Sequence, residues 1–315
     1  MRLATRLVSV LLFLLAAATT ACGDSTGLAS HPPNAIVLHS DAGDLVGSGK
    51  TFDYTQANSL ISLGAGGGHL AVNVQGDENW WGDFNLPGTP ARLEPGTYTG
   101  ATVWWGLNSC NTTASSFTID QASYDSTNLT SVDMSFEQHC NGAAAALHGT
   151  IHWRSDDKSH SPGPVNPPPT LLWLPPDSAT PVGMNYVYLQ SDTGDYIGQG
   201  RTYVFTPGTA TIRVSAAGNQ LSISVAAAES WDGGFKAMNW LTKLEPGYYG
   251  GLGSNPTKGA LGWSHGNRGC SVVSGWFAID HLTFSADTVT AVDVRFEQHC
   301  EAGPTALHGA IHWAR

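Results

Sequence analysis

Apolar and polar residues alternate with a period of two in many short runs. His69-Leu70-Ala71-Val72-Asn73-Val74 and Leu221-Ser222-Ile223-Ser224-Val225 show it, as do Val132-Asp133-Met134-Ser135-Phe136 and Val292-Asp293-Val294-Arg295-Phe296. Successive side chains of a strand leave opposite faces, so the alternation predicts strands with one face buried. The runs span roughly four to eight residues between Gly and Pro signals, and no stretch carries a 3.6-residue period. About eight or nine such strands per 120–130 residues predict an all-β chain of antiparallel β-sandwich, jelly-roll-like modules, with a closed barrel as the alternative.

The pattern is written twice. Ser40-Asp41-Ala42-Gly43-Asp44 returns as Ser191-Asp192-Thr193-Gly194-Asp195, and Leu93-Glu94-Pro95-Gly96 as Leu244-Glu245-Pro246-Gly247, both at an offset of 151. Phe136-Glu137-Gln138-His139-Cys140 returns as Phe296-Glu297-Gln298-His299-Cys300 at 160, so the second copy carries nine extra residues between Gly250 and Cys270. Insertions are tolerated in surface loops, which predicts a loop there. Repetition of this kind sets the domain plan: module 1 over 35–154 and module 2 over 184–315. The 155–183 stretch between them is rich in proline and reads as a semi-rigid spacer. Its apolar Leu171-Leu172-Trp173-Leu174 is expected to lean on one module.

Inside the repeat the last two strands can be read residue by residue. Val132, Met134 and Phe136 face inward, with Asp133, Ser135, Glu137 and His139 outward. After the turn, Leu147, Gly149, Ile151 and Trp153 share the inner face. A hairpin pairing Gln138 with Leu147 sets Glu137 opposite His148 and Asp133 opposite His152. In copy two it sets Glu297 opposite His308 and Asp293 opposite His312. Cross-strand charge pairing accounts for these residues, with a weak metal site as the alternative; a flat sheet lacks the pocket catalysis needs.

The N-terminal 22 residues lie outside this plan. Arg2 and Arg6 precede a short apolar stretch too brief to span a bilayer, and Thr19-Thr20-Ala21-Cys22 follows, the layout of a secretory signal. Small residues leading to a cysteine resemble a bacterial lipoprotein signal, in which Cys22 becomes the lipid-bearing terminus. Thr19 departs from that pattern, where Leu is usual. The 23–34 segment then reads as a flexible tether. Lipidation implies a chain anchored to the cell envelope, at the outer membrane; without it the chain is secreted. The lipid would be the only contact with membrane. Export favours disulfides, and the other four cysteines fall two per module, 30 residues apart each time. The simple pairing is Cys110 with Cys140 and Cys270 with Cys300, each closing a loop worth roughly 3–4 kcal/mol.

Charge narrows the partners. Of the chain's residues 12% are charged and the net charge is −11, which argues against nucleic acid. Gly47-Ser48-Gly49-Lys50-Thr51 imitates the end of a nucleotide-binding loop, but Asp44 stands where that motif needs Gly and the second copy has Arg201 for the lysine, so no nucleotide is expected. Ser-Asp-x-Gly-Asp offers Asp41, Asp44, Asp192 and Asp195 as calcium ligands; the competing reading is a turn in which Asp caps its own backbone. No other cofactor is implied.

Eleven tryptophans are many for 315 residues. Trp153, Trp276 and Trp313 fit the core. Trp80, Trp81, Trp104, Trp105, Trp231 and Trp263 fall near turns beside Asn, Asp and Gly, where exposed indoles suit sugar rings; packing beneath loops is the competing reading. The enzyme motifs sought are missing, neither a Gly-x-Ser-x-Gly elbow nor a His-Glu-x-x-His helix being present.

Ser-Asp-x-Gly-Asp-Tyr-Ile-Gly-x-Gly at 191–200, Leu-Glu-Pro-Gly-x-Tyr-x-Gly, Phe-Glu-Gln-His-Cys and Ala-Leu-x-Gly-x-Ile resemble a module of secreted proteins and lipoproteins of environmental bacteria. The resemblance covers nearly all of both repeats and implies export and a β-rich fold. The expected function is a surface-anchored, non-enzymatic lipoprotein whose tandem modules bind polysaccharide. A structural or protein-adhesive surface protein is the rival, and a secreted hydrolase comes third.

Overall fold

A computed structural model describes residues 32–88, 90–99, 110 and 113–315. The leader with Cys22, nearly all of the tether, and Trp104 and Trp105 lie outside the described residues. Among those described there is no helix. Repeat 1 comprises β1 (Ala35–Ser40), β2 (Thr51–Thr55), β3 (Leu60–Gly66), β4 (His69–Gln75), β5 (Asn79–Asn85), β6 (Gly96–Thr99), β7 (Thr113–Asp125), β8 (Asn128–Cys140) and β9 (Ala146–Arg154). Repeat 2 comprises β10 (Tyr186–Ser191), β11 (Thr202–Phe205), β12 (Thr211–Ala217), β13 (Gln220–Ala226), β14 (Ser230–Lys236), β15 (Gly247–Leu252), β16 (Ala260–His265), β17 (Val273–Ser285), β18 (Thr288–Cys300) and β19 (Ala306–Ala314).

Each repeat is a two-layer antiparallel sandwich. Among the described residues, six strands in the order β2-β1-β9-β8-β7-β6 face β3-β4-β5, and β11-β10-β19-β18-β17-β15 face β12-β13-β14-β16. Among the described residues, neighbours within a sheet are mostly consecutive in the chain, a meander closed by pairing the first strand with the last. Phe84 of β5 packs edge-on against Phe117 and Phe136 of the large sheet at 5.5 and 5.4 Å, and Phe235 does the same with Phe277 and Phe296 at 5.4 and 5.6 Å. The inward positions read from the alternation are buried: Val132, Met134, Phe136, Leu147 and Ile151 in one copy, Val292, Val294, Phe296, Leu307 and Ile311 in the other.

Gly149 and Gly309 take the same inner face for a steric reason. A Cβ on either would sit 2.0 Å from Cε1 of Phe136 or Phe296. Each repeat has its own bridge, Cys110–Cys140 with Cα atoms 5.3 Å apart and Cys270–Cys300 with Cα atoms 5.1 Å apart.

The nine extra residues, 251–259, finish β15 and form the turn that leads into β16, and that turn touches repeat 1. Asn255, 1% exposed, donates through its amide to the Asn58 carbonyl at 2.8 Å and to Asp77 at 3.1 Å, while Lys258 reaches both Asp77 oxygens at 2.7 and 2.8 Å. Burial alone would raise the Asp77 carboxyl, but the Lys258 ammonium and Asn255 amide more than offset it and hold it below its ordinary range.

The proline-rich stretch lies along repeat 2 rather than holding the repeats apart. His160 stacks on Trp240 at 3.8 Å, and the Ser161 hydroxyl donates to the Thr257 carbonyl at 2.6 Å. Val165 exchanges backbone hydrogen bonds with Tyr248 at 3.0 and 2.9 Å. Trp173 stacks on His308 and Tyr188, and its carbonyl accepts from Arg295 at 3.0 Å. The predicted lean therefore falls on repeat 2, through Trp173; Leu171 itself stays 98% exposed.

Candidate functional site

The final hairpin of each repeat pairs in the predicted register. Glu137 lies opposite His148 and Asp133 opposite His152. Glu297 lies opposite His308 and Asp293 opposite His312. On the outer face of β8 and β9, His148 sits 3.5 Å from a Glu137 oxygen and 3.5 Å from Asp41, and Glu137 also meets His139 at 2.9 Å. Hydrogen bonding to Glu137 raises the His139 imidazole above its ordinary range. The backbone N–H of Ala146 holds the Asp41 carboxyl below its own. Repeat 2 repeats the arrangement with His308 3.4 Å from Glu297 and 3.7 Å from Asp192. The His148 pairs of repeat 1, whose side chains are exposed, contribute at most about 1 kcal/mol each. They orient the imidazoles on the outer face of the sheet.

In the Ser-Asp-x-Gly-Asp turns the carboxylates cap the chain's own backbone. Asp44, 3% exposed, accepts from the Ser40 hydroxyl at 2.7 Å, from the Gly47 N–H at 2.7 Å and from the Val46 N–H at 3.2 Å. Asp195 accepts from Ser191 at 2.8 Å and from Gly198 at 2.7 Å. Asp41 and Asp192 each accept the first N–H of the last strand, from Ala146 and Ala306, at 3.0 Å. Asp44 and Asp195 are buried on the chain's own donors, while Asp41 and Asp192 keep an exposed side; Gly43 and Gly194 take φ of 95° and 96° to close the turn. Among the described residues no group of three or more His, Cys, Asp or Glu side chains is placed to hold a metal ion.

Three of the four candidate indoles among the described residues are core, and the reason is strand parity. Trp80, Trp231 and Trp263 are each 1% exposed. Trp80 donates to the Tyr54 hydroxyl at 2.6 Å, and Trp231 lies flat on His265 at 3.9 Å. Trp263, expected in a loop, is in β16, its ring over Gly233, where a Cβ would sit 1.8 Å away. In an adjacent pair one ring must face inward and the other outward. Trp80 is the inward member, and Trp81 is the outward one, half-buried on β5.

Trp81 stands directly across from Asn73 of β4. With Ser62, Gly64, Gly82 and Asp83 they line a shallow depression of about 350 Å³ on the outer face of the three-stranded sheet. Asp83 is fixed by His69 at 2.8 Å. A Cβ on Gly64 would meet nothing within 4 Å, so the glycine leaves the depression open.

Comparison with known proteins adds little here. No family model matches the chain, and no curated protein matches it. Among solved structures, the crystal structure of a protein of unknown function of the DUF3598 family from Nostoc punctiforme is similar at 9% identity. It covers 90% of this chain and 94% of that one with a TM-score of 0.21. A likeness at that score carries no argument.

The internal duplicate is the more informative relative. At the offset of 151, Trp81 corresponds to Asp232, Asn73 to Ser224, Gly64 to Ser215 and Asp83 to Gly234. Repeat 2 keeps the buried indole as Trp231 and lacks the outward one. That adjacent strand tryptophans face opposite ways is legible in the sequence; which of Trp80 and Trp81 faces inward is set by the register of β5.

Proposed function

We propose that the chain is an exported, lipid-anchored cell-envelope protein whose first repeat recognises polysaccharide on the outer face of β3-β4-β5. The reading rests on one observation: an outward indole flanked by Asn73, Ser62 and Asp83 over an open, glycine-floored depression. A sugar ring lays its apolar C–H face on an indole while amide, hydroxyl and carboxylate groups take its hydroxyls. Repeat 2, with Asp232 in place of the indole, serves as a partner in the fold. The anchoring half of the proposal is supported by the leader and Cys22, and by two disulfides that suit an oxidising compartment.

Recognition fits better than turnover, because the depression is shallow and its one carboxylate is held by His69. A glycan array probed with the mature chain, followed by titration of any hit, tests the binding half. Trp81→Ala should weaken the hit at least tenfold, about 1.4 kcal/mol. Binding that ignores Trp81, or no glycan at all, overturns it. Metabolic lipid labelling that survives Cys22→Ala would overturn the anchor.

A further inference from the structure

We propose a second sugar-ring site on the opposite sheet of repeat 1, in the groove over His148. The inference rests on the polysaccharide reading above and extends it to a different face. The groove, about 360 Å³, is lined by Val37, His39, Thr118, Glu137, His148 and Thr150.

Repeat 2 shows what this surface accommodates. There a flat ring already occupies it: Trp173 lies 5.1 Å from His308 and within 18° of parallel. Covered in this way, the His308 and Glu297 side chains are 14% and 27% exposed, against 41% for His148 and 48% for Glu137. The imidazole is posed alike in both copies, between a glutamate across the strand pair and the first aspartate of the turn.

The walls differ, and the difference selects the ligand. Under the Trp173 segment the outward residues are Tyr188, Ala278 and Ala310, which are 4%, 0% and 3% exposed. Their counterparts in repeat 1 are Val37, Thr118 and Thr150, with Val37 38% exposed. Two apolar contacts have become hydroxyls while the imidazole platform is kept. A peptide indole in such a groove would strip water from Thr118 and Thr150 without replacing their hydrogen bonds. A sugar ring offers both surfaces, C–H groups for His148 and hydroxyls for the threonines and the carboxylate.

Nuclear magnetic resonance on the mature chain separates the two sites in one titration. The probes are soluble hexasaccharides of β-glucan, xylan and chitin. The signals followed are the Trp81 indole N–H and the His148 ring, assigned with Trp81→Phe and His148→Gln. A saturating shift at His148 that persists in Trp81→Ala, and is lost when Thr150→Trp fills the groove, is the expected result. Shifts confined to Trp81 overturn the groove and leave the first reading standing. A shift confined to His148 overturns the first reading and supports the groove. No shift at either residue overturns both.

Discussion

Removing the Asp44 carboxylate should unfold repeat 1 more easily, by an amount the structure sets. Asp44→Ala leaves the buried Val46 and Gly47 N–H groups without acceptors and takes the Ser40 hydroxyl's short partner away. Ser40 can turn to the Asp41 carbonyl, 3.4 Å away, so its loss is small. Each orphaned buried donor costs roughly 1–3 kcal/mol, and the two backbone groups together give about 3 kcal/mol. For a repeat of this size that corresponds to a fall of about 10 °C in melting temperature. Asp44→Asn keeps one acceptor and should lose about half as much. Asp195→Ala should do to repeat 2 what Asp44→Ala does to repeat 1. Scanning calorimetry of the mature chain, with calcium and with chelator, reads all of this. A loss below about 1 kcal/mol would refute the capping account. So would a wild-type transition that rises with calcium and falls with chelator, since the carboxylates would then be serving a metal.

Gly309→Ala and Gly149→Ala should each destabilise their own repeat by about 1–3 kcal/mol or more, because the new methyl meets a phenylalanine ring at 2.0 Å; urea titration checks this, with Gly64→Ala as the near-neutral control. Asn255→Ala removes the buried contact with Asn58 and Asp77 and should let the two repeats melt as separate transitions, where the wild-type chain couples them. Burial, with Arg268 beside it, lowers the pKa of the His265 imidazole. A histidine with a depressed folded pKa contributes its stability in full above about pH 6.5 and loses it as pH falls toward the folded value. Repeat 2 should therefore weaken below that pH, and His265→Phe, which keeps a ring on Trp231, should flatten the pH dependence of its melting temperature.

Much of this fold is legible in the chain because duplication and alternation reinforce each other. Fixing Gln138 against Leu147 was enough to place Glu137, His148, Asp133 and His152, since a strand register is settled by one pair. The cysteine pairs followed from counting within each copy. What stayed hidden depends on contacts between distant segments. Nothing in 251–259 announces that Asn255 and Lys258 reach back to the 58 and 77 turns of the other repeat. Composition marks 155–183 as extended, but the stacking of Trp173 on His308 belongs to tertiary packing. Asp232-Gly233-Gly234 signals a turn after Trp231, and the insertion signals a loop around Trp263. Gly233 instead makes room for the Trp263 ring inside the sandwich. The Asp turns carried two chemistries in sequence, and only the positions of the N–H groups of Val46 and Gly47 decide between them.

The claim on which the functional account turns is that the depression beside Trp81 holds a sugar. Gly64→Leu tests it most directly, because a side chain there enters the depression and meets no neighbouring protein atom within 4 Å at its Cβ. Calorimetric titration of the glycan found for the wild-type chain should show affinity reduced at least tenfold in Gly64→Leu, with the melting temperature unchanged. Equal affinity in the two proteins would contradict the account.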